Sequence, residues 1–193
     1  VKKKITSKTK LIVGVHWAGQ PFDIDEISSI AKENNIKVVE DAAHALGARY
    51  NDKRIGSHSD FVCFSFQAIK HMTTVDGGSI SCNNKQDSER IRKLKWFGLD
   101  RKFSGGSRWE QDIVECGYKM HMNNINAVIG IEQMKYVDFI VGEHIKNGKF
   151  FDQNIKNKKV KKLTQIPKAQ SSYWIYSVLV DDREDFKKYM LEH

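Results

Sequence analysis

Three side chains in this sequence have the types that amine and carbonyl chemistry needs, and they fall at the ends of apolar runs. Lys70 lies in Phe64-Ser65-Phe66-Gln67-Ala68-Ile69-Lys70-His71, just past an apolar stretch over residues 60–66. A lysine held among apolar residues at the end of a core strand is desolvated, which lowers its pKa and frees the neutral amine for Schiff-base formation. An isolated lysine in such a place more often snorkels to solvent. Asp41 closes the run Lys37-Val38-Val39-Glu40-Asp41 and is followed by Ala42 and Ala43, small residues past which a flat ligand can approach. Ligands of open α/β sheets bind outside the carboxyl ends of the strands, which is where this acid falls. Two plainer readings compete for it: a cap on the next turn, or the metal-holding strand of a nucleotide hydrolase. The second requires a G-x-x-x-x-G-K-[ST] loop, which the sequence lacks. Ser65, five residues before Lys70, offers a hydroxyl to a phosphate, although alone it is an ordinary strand serine. Amine, carboxylate and hydroxyl together match a pyridoxal phosphate site: an amine for the aldehyde, an acid that keeps the pyridine nitrogen protonated, and a donor to the phosphate.

The elements that must position these groups read as an α/β chain. Leu11 to Val15 is a short buried-strand run, Gly19-Gln20-Pro21 is a turn, and Asp23 with Glu26 has the spacing of a capping box. The helix so opened carries Ile24, Ile27, Ile30 and Ala31 on one face and stops at Asn34-Asn35, before the next strand at Ile36 to Val39. Strand, crossover helix and strand make a βαβ unit, so the expectation is a mainly parallel sheet flanked by helices. Arg49 to Gly56 reads as a small hairpin, Asp60 to Phe66 as a buried strand, and Ser79 to Cys82 as another, entered through Gly77-Gly78. Helices are expected over Asp87 to Trp96, Asn124 to Phe139 and Val141 to Ile155, a strand over Tyr173 to Val180, and a last helix from Arg183 to Glu192. Residues 1–156 are expected to form the large cofactor-binding domain and 157–193 the beginning of a smaller α+β domain.

Composition narrows the classes further. The longest apolar runs are far too short to span a bilayer, which takes roughly 20 residues as a helix. Three cysteines, Cys63, Cys82 and Cys116, without C-x-x-C spacing suit a reducing, cytoplasmic setting. The net charge of +8 comes from lysines crowded near residues 2–10 and 156–168. No arginine or aromatic pattern is interleaved with them, so solvated edges account for them better than a nucleic-acid surface. Trp96, Phe97 and Trp109, with Arg101 and Arg108, are candidates to border a ligand site, but core packing or a surface loop explains each more simply.

Four ordered strings, VHWAGQPFDIDEI, VVEDAAHALGARY, IGSHSDFVCFSFQAIKHMTTVDGGSI and ECGYKMHMNNINAVIGIEQM, resemble the DegT/DnrJ/EryC1/StrS family of nucleotide-sugar aminotransferases from about Ile5 onward. The resemblance implies a fold-type I pyridoxal phosphate enzyme that works as a homodimer, moving an amino group from an amino acid, usually glutamate, to a keto group of a nucleotide-linked sugar. Surface polysaccharide or secondary-metabolite sugars are the implied products. By position, Lys70 matches the Schiff-base lysine and carrier of protons, Asp41 the acid on the pyridine nitrogen, Ser65 a phosphate ligand, and His44 a residue beside the cofactor. As a plain alternative, His44 is a satisfied polar residue of its loop. Lys119, in Gly117-Tyr118-Lys119-Met120-His121-Met122, stands where many relatives carry an asparagine that reaches the phosphate of the neighbouring subunit's cofactor. A lysine would meet that phosphate as a point charge, with different geometry. Val75 stands where a glycine is common. Relatives are about twice as long, so the chain expressed alone is expected to bind cofactor poorly and to show no transamination. The alternatives are a dehydratase of the same fold, whose members typically carry histidine in place of the lysine, and a non-catalytic fragment.

Overall fold

The computed structural model describes residues 1–107 and 110–193. Strand β1 (Leu11–Val15) leads through a short 3-10 turn at Trp17–Gly19 into helix α1 (Ile24–Glu33), and the chain returns as strand β2 (Lys37–Asp41). The capping box forms as its spacing requires: the Asp23 carboxylate accepts from the Glu26 N–H at 3.1 Å. The helix ends where Asn35 turns into the left-handed region at φ 53°. β1 and β2 pair in parallel from Leu11 with Lys37 to Val15 with Asp41.

A two-strand hairpin follows, β3 (Arg49–Tyr50) and β4 (Lys53–Arg54), and then β5 (Phe61–Ser65) and β6 (Gly78–Cys82). β5 joins β2 in parallel, with Asp41 opposite Cys63. β6 returns antiparallel on β5, with Ser65 opposite Gly78. The sheet is therefore mainly parallel, in the order β1-β2-β5-β6.

Side chains alternate between the two faces of a strand, and this decides what lies under the sheet and what lies on it. Val38, Glu40 and Val62 point to the side covered by α1 and by the loop after β2. There Ile24, Ala42, Ala45, Ala48, Tyr50, Ile55 and Val62 form the larger apolar cluster, while Ala31, Ile36 and Val38 form a smaller one beside it. The opposite face carries Val13, Val15, Asp41, Cys63, Ser65 and Ile80, and its apolar members at the two edge strands are open: Val13 is 56% and Ile80 52% exposed.

Helix α2 (Lys85–Leu94) follows β6, and helices α3 (Asn124–Met134) and α4 (Val137–Asn154) form a second helical stretch. The break between α3 and α4 falls at Lys135-Tyr136, earlier than the apolar spacing suggests. Tyr136 caps the start of α4 there and its N–H closes a tight turn on the Gln133 carbonyl at 3.0 Å. No glycine or proline marks that turn in the sequence, so nothing local betrays it. The restart rotates Val141 into the interior, 6% exposed, beside Gly47.

The last part holds β7 (Lys161–Lys162), β8 (Ala169–Gln170), β9 (Val178–Leu179) and α5 (Arg183–Glu192). β8 adds to the hairpin by pairing with β3, and β7 pairs with β9. The strand expected over Tyr173 to Val180 is thus only two residues long. Its first part is instead drawn into a sharp turn at Ser171 to Trp174, where Tyr173 takes φ 48°.

Candidate active site

Asp41 sits at the carboxyl end of β2 between Val15 and Cys63, and Ser65 ends β5 two residues beyond Cys63 on the same face. Asp41 also does the plainer job open to it: one carboxylate oxygen accepts the Ala43 N–H at 3.0 Å and fixes the turn after the strand. Ser65 Oγ accepts from the Gln67 N–H at 3.3 Å, a bond that leaves its own hydroxyl hydrogen for another acceptor.

Lys70 is carried by a loop pinned at both ends, with Phe66 N–H on the Gly77 carbonyl and Thr74 N–H on the Phe66 carbonyl, each at 2.8 Å. Burial lowers the Lys70 amine from its ordinary pKa, and the negative charge of Asp41 opposes that shift. The charge of Asp41 therefore reaches the Lys70 amine. Val75, on the same loop, adopts φ 70° although it is β-branched. That conformation costs free energy, and its N–H bond to Thr73 Oγ1 at 2.9 Å helps to hold it.

His44 joins this group. Burial lowers its pKa first, the Lys70 charge lowers it further, and Asp41 raises it. Its Nδ1 accepts the Ala18 N–H at 3.3 Å, so the neutral ring carries its proton on Nε2. The imidazole stacks on Trp174, 3.9 Å between centroids and 19° from parallel, and meets the edge of Trp17 at 5.3 Å. Lys70 Nζ lies 4.0 Å from the Trp174 ring centre.

Lys119 stands apart. It forms an isolated bridge with Trp96, is exposed, and lowers the pKa of nearby His121 by its charge, behind the effect of burial. No hydrogen bond, ring contact or ion pair among the described residues joins it to Asp41, His44, Ser65 or Lys70. Of the other aromatic candidates, Trp96 packs edge-on against Phe97 and His121 and receives Arg101 over its ring at 5.2 Å. Arg108 and Trp109 lie outside the described residues. Near this segment a cleft of about 330 Å³ is lined by Arg92, Lys93, Lys95, Arg101 and Lys102 against Glu89 and Asp100.

Spacing along the sequence gave no hint of Trp174 or His144, and only a faint one of the pair His16 and Glu40. Trp174 meets Lys70 across 104 positions, a contact set by the tertiary fold alone. His16 and Glu40 are wholly buried and bonded at 2.8 Å. Because His16 Nδ1 accepts the Phe22 N–H, the proton on Nε2 is the one shared with Glu40. The pair sits on the covered side of the sheet and locks the ends of β1 and β2 together directly beneath Asp41. A polar residue ending an apolar strand beside another acid, as in Glu40-Asp41, was the available signal for it.

The side chains present fit pyridoxal phosphate by their donor chemistry: a desolvated amine, a carboxylate in its field, a hydroxyl with a hydrogen to give, and an N–H on His44. Among the described residues no cluster of acidic, histidine or cysteine side chains suits a metal ion, and no helix is long and apolar enough to cross a membrane.

The family model of the DegT/DnrJ/EryC1/StrS aminotransferases matches residues 1–193. A curated relative, the uncharacterized protein MJ1066 of Methanocaldococcus jannaschii, is 37% identical over 186 residues, which cover 94% of this chain and 48% of that protein. Among solved structures, AtS13 from Actinomadura melliaura superposes with a TM-score of 0.94 at 34% identity, over 99% of this chain and 53% of that one. The sugar aminotransferase CalS13 from Micromonospora echinospora gives 0.93 at 29% identity, over 99% and 53%. The chain spans about half the length of these relatives.

Proposed function

Because this chain belongs to the DegT/DnrJ/EryC1/StrS aminotransferase family, we propose that the protein containing it transfers an amino group from an amino acid, glutamate in the first instance, to a keto group of a nucleotide-linked sugar. The observation that supports this reading is that Asp41 and Ser65 end two adjacent parallel strands on one face of the sheet, while Lys70, in the loop after the second strand, is partly desolvated and feels the charge of Asp41.

In this reading pyridoxal phosphate, when bound, would supply an electron sink for the reacting carbon. Lys70 would hold the cofactor through its amine, and its Nζ would take and return a proton as general base and acid. Its depressed pKa suits both tasks, since more of the amine is neutral near pH 7 than in a solvated lysine. Asp41 keeps the ring nitrogen protonated, and its bond to the Ala43 N–H fixes the orientation from which it does so. Ser65 and Lys119 hold the phosphate, Lys119 across the interface of a homodimer. His44 contributes its Nε2–H beside the ring. The surplus of cations in the cleft around Arg92 and Arg101 favours a phosphate-bearing substrate. Three free thiols accord with a cytoplasmic protein.

The test is a half-reaction on the full-length protein loaded with pyridoxal phosphate. Added glutamate should yield one equivalent of 2-oxoglutarate per cofactor, with loss of the cofactor's visible absorption, and a nucleotide-linked keto sugar should restore it. Restoration by free keto acids but by no keto sugar nucleotide would contradict the substrate class.

A further inference from the structure

The segment Ser171 to Trp174 is held against the Lys70 loop more firmly than a surface turn requires. Ser172 N–H donates to the Gly19 carbonyl at 3.0 Å, and Ser172 Oγ donates to the His44 carbonyl at 3.1 Å. Two histidines donate to successive carbonyls of the segment: His71 Nε2 to Ser172 at 3.2 Å and His144 Nδ1 to Tyr173 at 3.0 Å. Tyr173 takes the left-handed conformation that aromatic residues avoid, with its N–H on Ser171 Oγ at 3.0 Å. Gly148 of α4 leaves the space its ring needs, since a Cβ there would come within 2.3 Å of it. Strain of this kind persists only where the surroundings over-determine it.

What all these bonds place is the indole of Trp174. Its Nε1–H donates to the Ile69 carbonyl, the residue before Lys70, at 2.9 Å. Its ring faces the Lys70 amine at 4.0 Å and stacks on His44. We propose that Trp174 is a positioning residue for Lys70: the indole seats the lysine's amine whenever it is not bonded to cofactor, keeping it at the strand ends instead of letting it swing to solvent. A free lysine has a flexible four-carbon stem, and a proton carrier must stay within reach of the reacting atoms. An aromatic face holds a partly desolvated ammonium without removing its charge or its ability to release a proton. The same ring, stacked on His44, couples the seat of the amine to the imidazole beside the cofactor. The proton-carrying part of this proposal rests on the aminotransferase reading; the seat itself does not.

Two readouts on the full-length protein separate them. In the cofactor-stripped protein, reductive ¹³C-methylation gives each lysine an NMR signal, and Lys70→Arg identifies that of Lys70. The expected Lys70 signal lies upfield of the other lysines through the indole ring current, moves to the ordinary lysine position in Trp174→Leu, and stays shifted in Trp174→Phe. A Lys70 signal at the ordinary lysine position in the unsubstituted protein overturns the proposal, and this result does not depend on how the Trp174 variants fold. In the cofactor-loaded protein, Trp174→Leu should slow the glutamate half-reaction about tenfold or more, leave the KM for glutamate within about twofold, and raise the isotope effect on α-deuterated glutamate. Trp174→Phe should recover most of the rate. A fall in rate with an unchanged isotope effect and no recovery by Phe would mean a structural role only. If the unsubstituted protein refuses glutamate while the upfield signal is present, the seat stands and the assigned reaction fails.

Discussion

The strand-end corner around Lys70 and the segment around Lys119 are both furnished with cations and aromatic rings, yet they are built in opposite ways. At the first, three separate segments meet, carrying Asp41 with His44, Lys70, and Trp174 from 104 positions further on, and they are fixed by backbone bonds and the buried His71. At the second, Lys119 lies within 23 positions of Trp96 and Arg101 and its backbone pairs with that of Trp96, but its side chain is exposed and, among the described residues, joined to none of the first group. A corner wired by its own chain is set to its geometry before any ligand arrives. A segment with an exposed lysine is suited to finish a site that lies on a neighbouring subunit. The first should therefore respond to substitution with large, specific losses, and the second with small losses that depend on salt.

The largest expected effect is at Asp41. Asp41→Asn keeps an oxygen for the Ala43 N–H but removes the charge, so stability should change by less than about 1 kcal/mol while transamination falls about a hundredfold or more. Chemical denaturation alongside the glutamate half-reaction checks this. If both fall together, capping was the residue's whole role.

A pH dependence of stability comes next. Burial, and then the charge of His144, pushes the pKa of His71 down to about 4 from the usual 6.5. Between pH 6.5 and 4 the unfolded chain binds a proton that the folded corner refuses, so stability falls as pH falls through that window and levels off below it. The loss is about 3 kcal/mol. Denaturation midpoints from pH 7 to 4 should show it, and His71→Gln should flatten it.

Lys119→Ala should weaken cofactor binding by the full-length protein about tenfold or less, and added salt should shrink the difference. An effect as large as that of Asp41→Asn, or one indifferent to salt, would erase the contrast between the two regions. The smallest change is expected at Val75, which is exposed and strained. Val75→Gly should relieve about 1 kcal/mol of strain and leave the half-reaction rate unaltered.

How much of this was legible in the sequence follows the range of the forces involved. Short apolar runs and the Asp23 to Glu26 box are local, and they marked β1, α1, β2 and the strand end at which Asp41 lies. The same local logic put Ser65 on β5 and Lys70 just past it, and Arg183 to Glu192 formed a helix as its spacing required. The break at Tyr136 and the collapse of the 173–180 strand into a turn were not legible. Both are decided by what packs against the segment: Val141 against Gly47 in one case, and two histidines with Gly19 and Gly148 in the other. Val75 keeps a conformation suited to glycine because the loop's bonds impose it, which residue type alone does not reveal. For the same reason Trp174 was invisible beside more conspicuous tryptophans such as Trp96.

The central claim is that Lys70 is the residue that bonds the cofactor, and borohydride reduction of the full-length protein with added pyridoxal phosphate, followed by peptide mapping, tests it most directly. The account predicts one stable label per chain on the peptide carrying Lys70, and none there in Lys70→Ala. A label on another lysine, or labelling undiminished in Lys70→Ala, would contradict it.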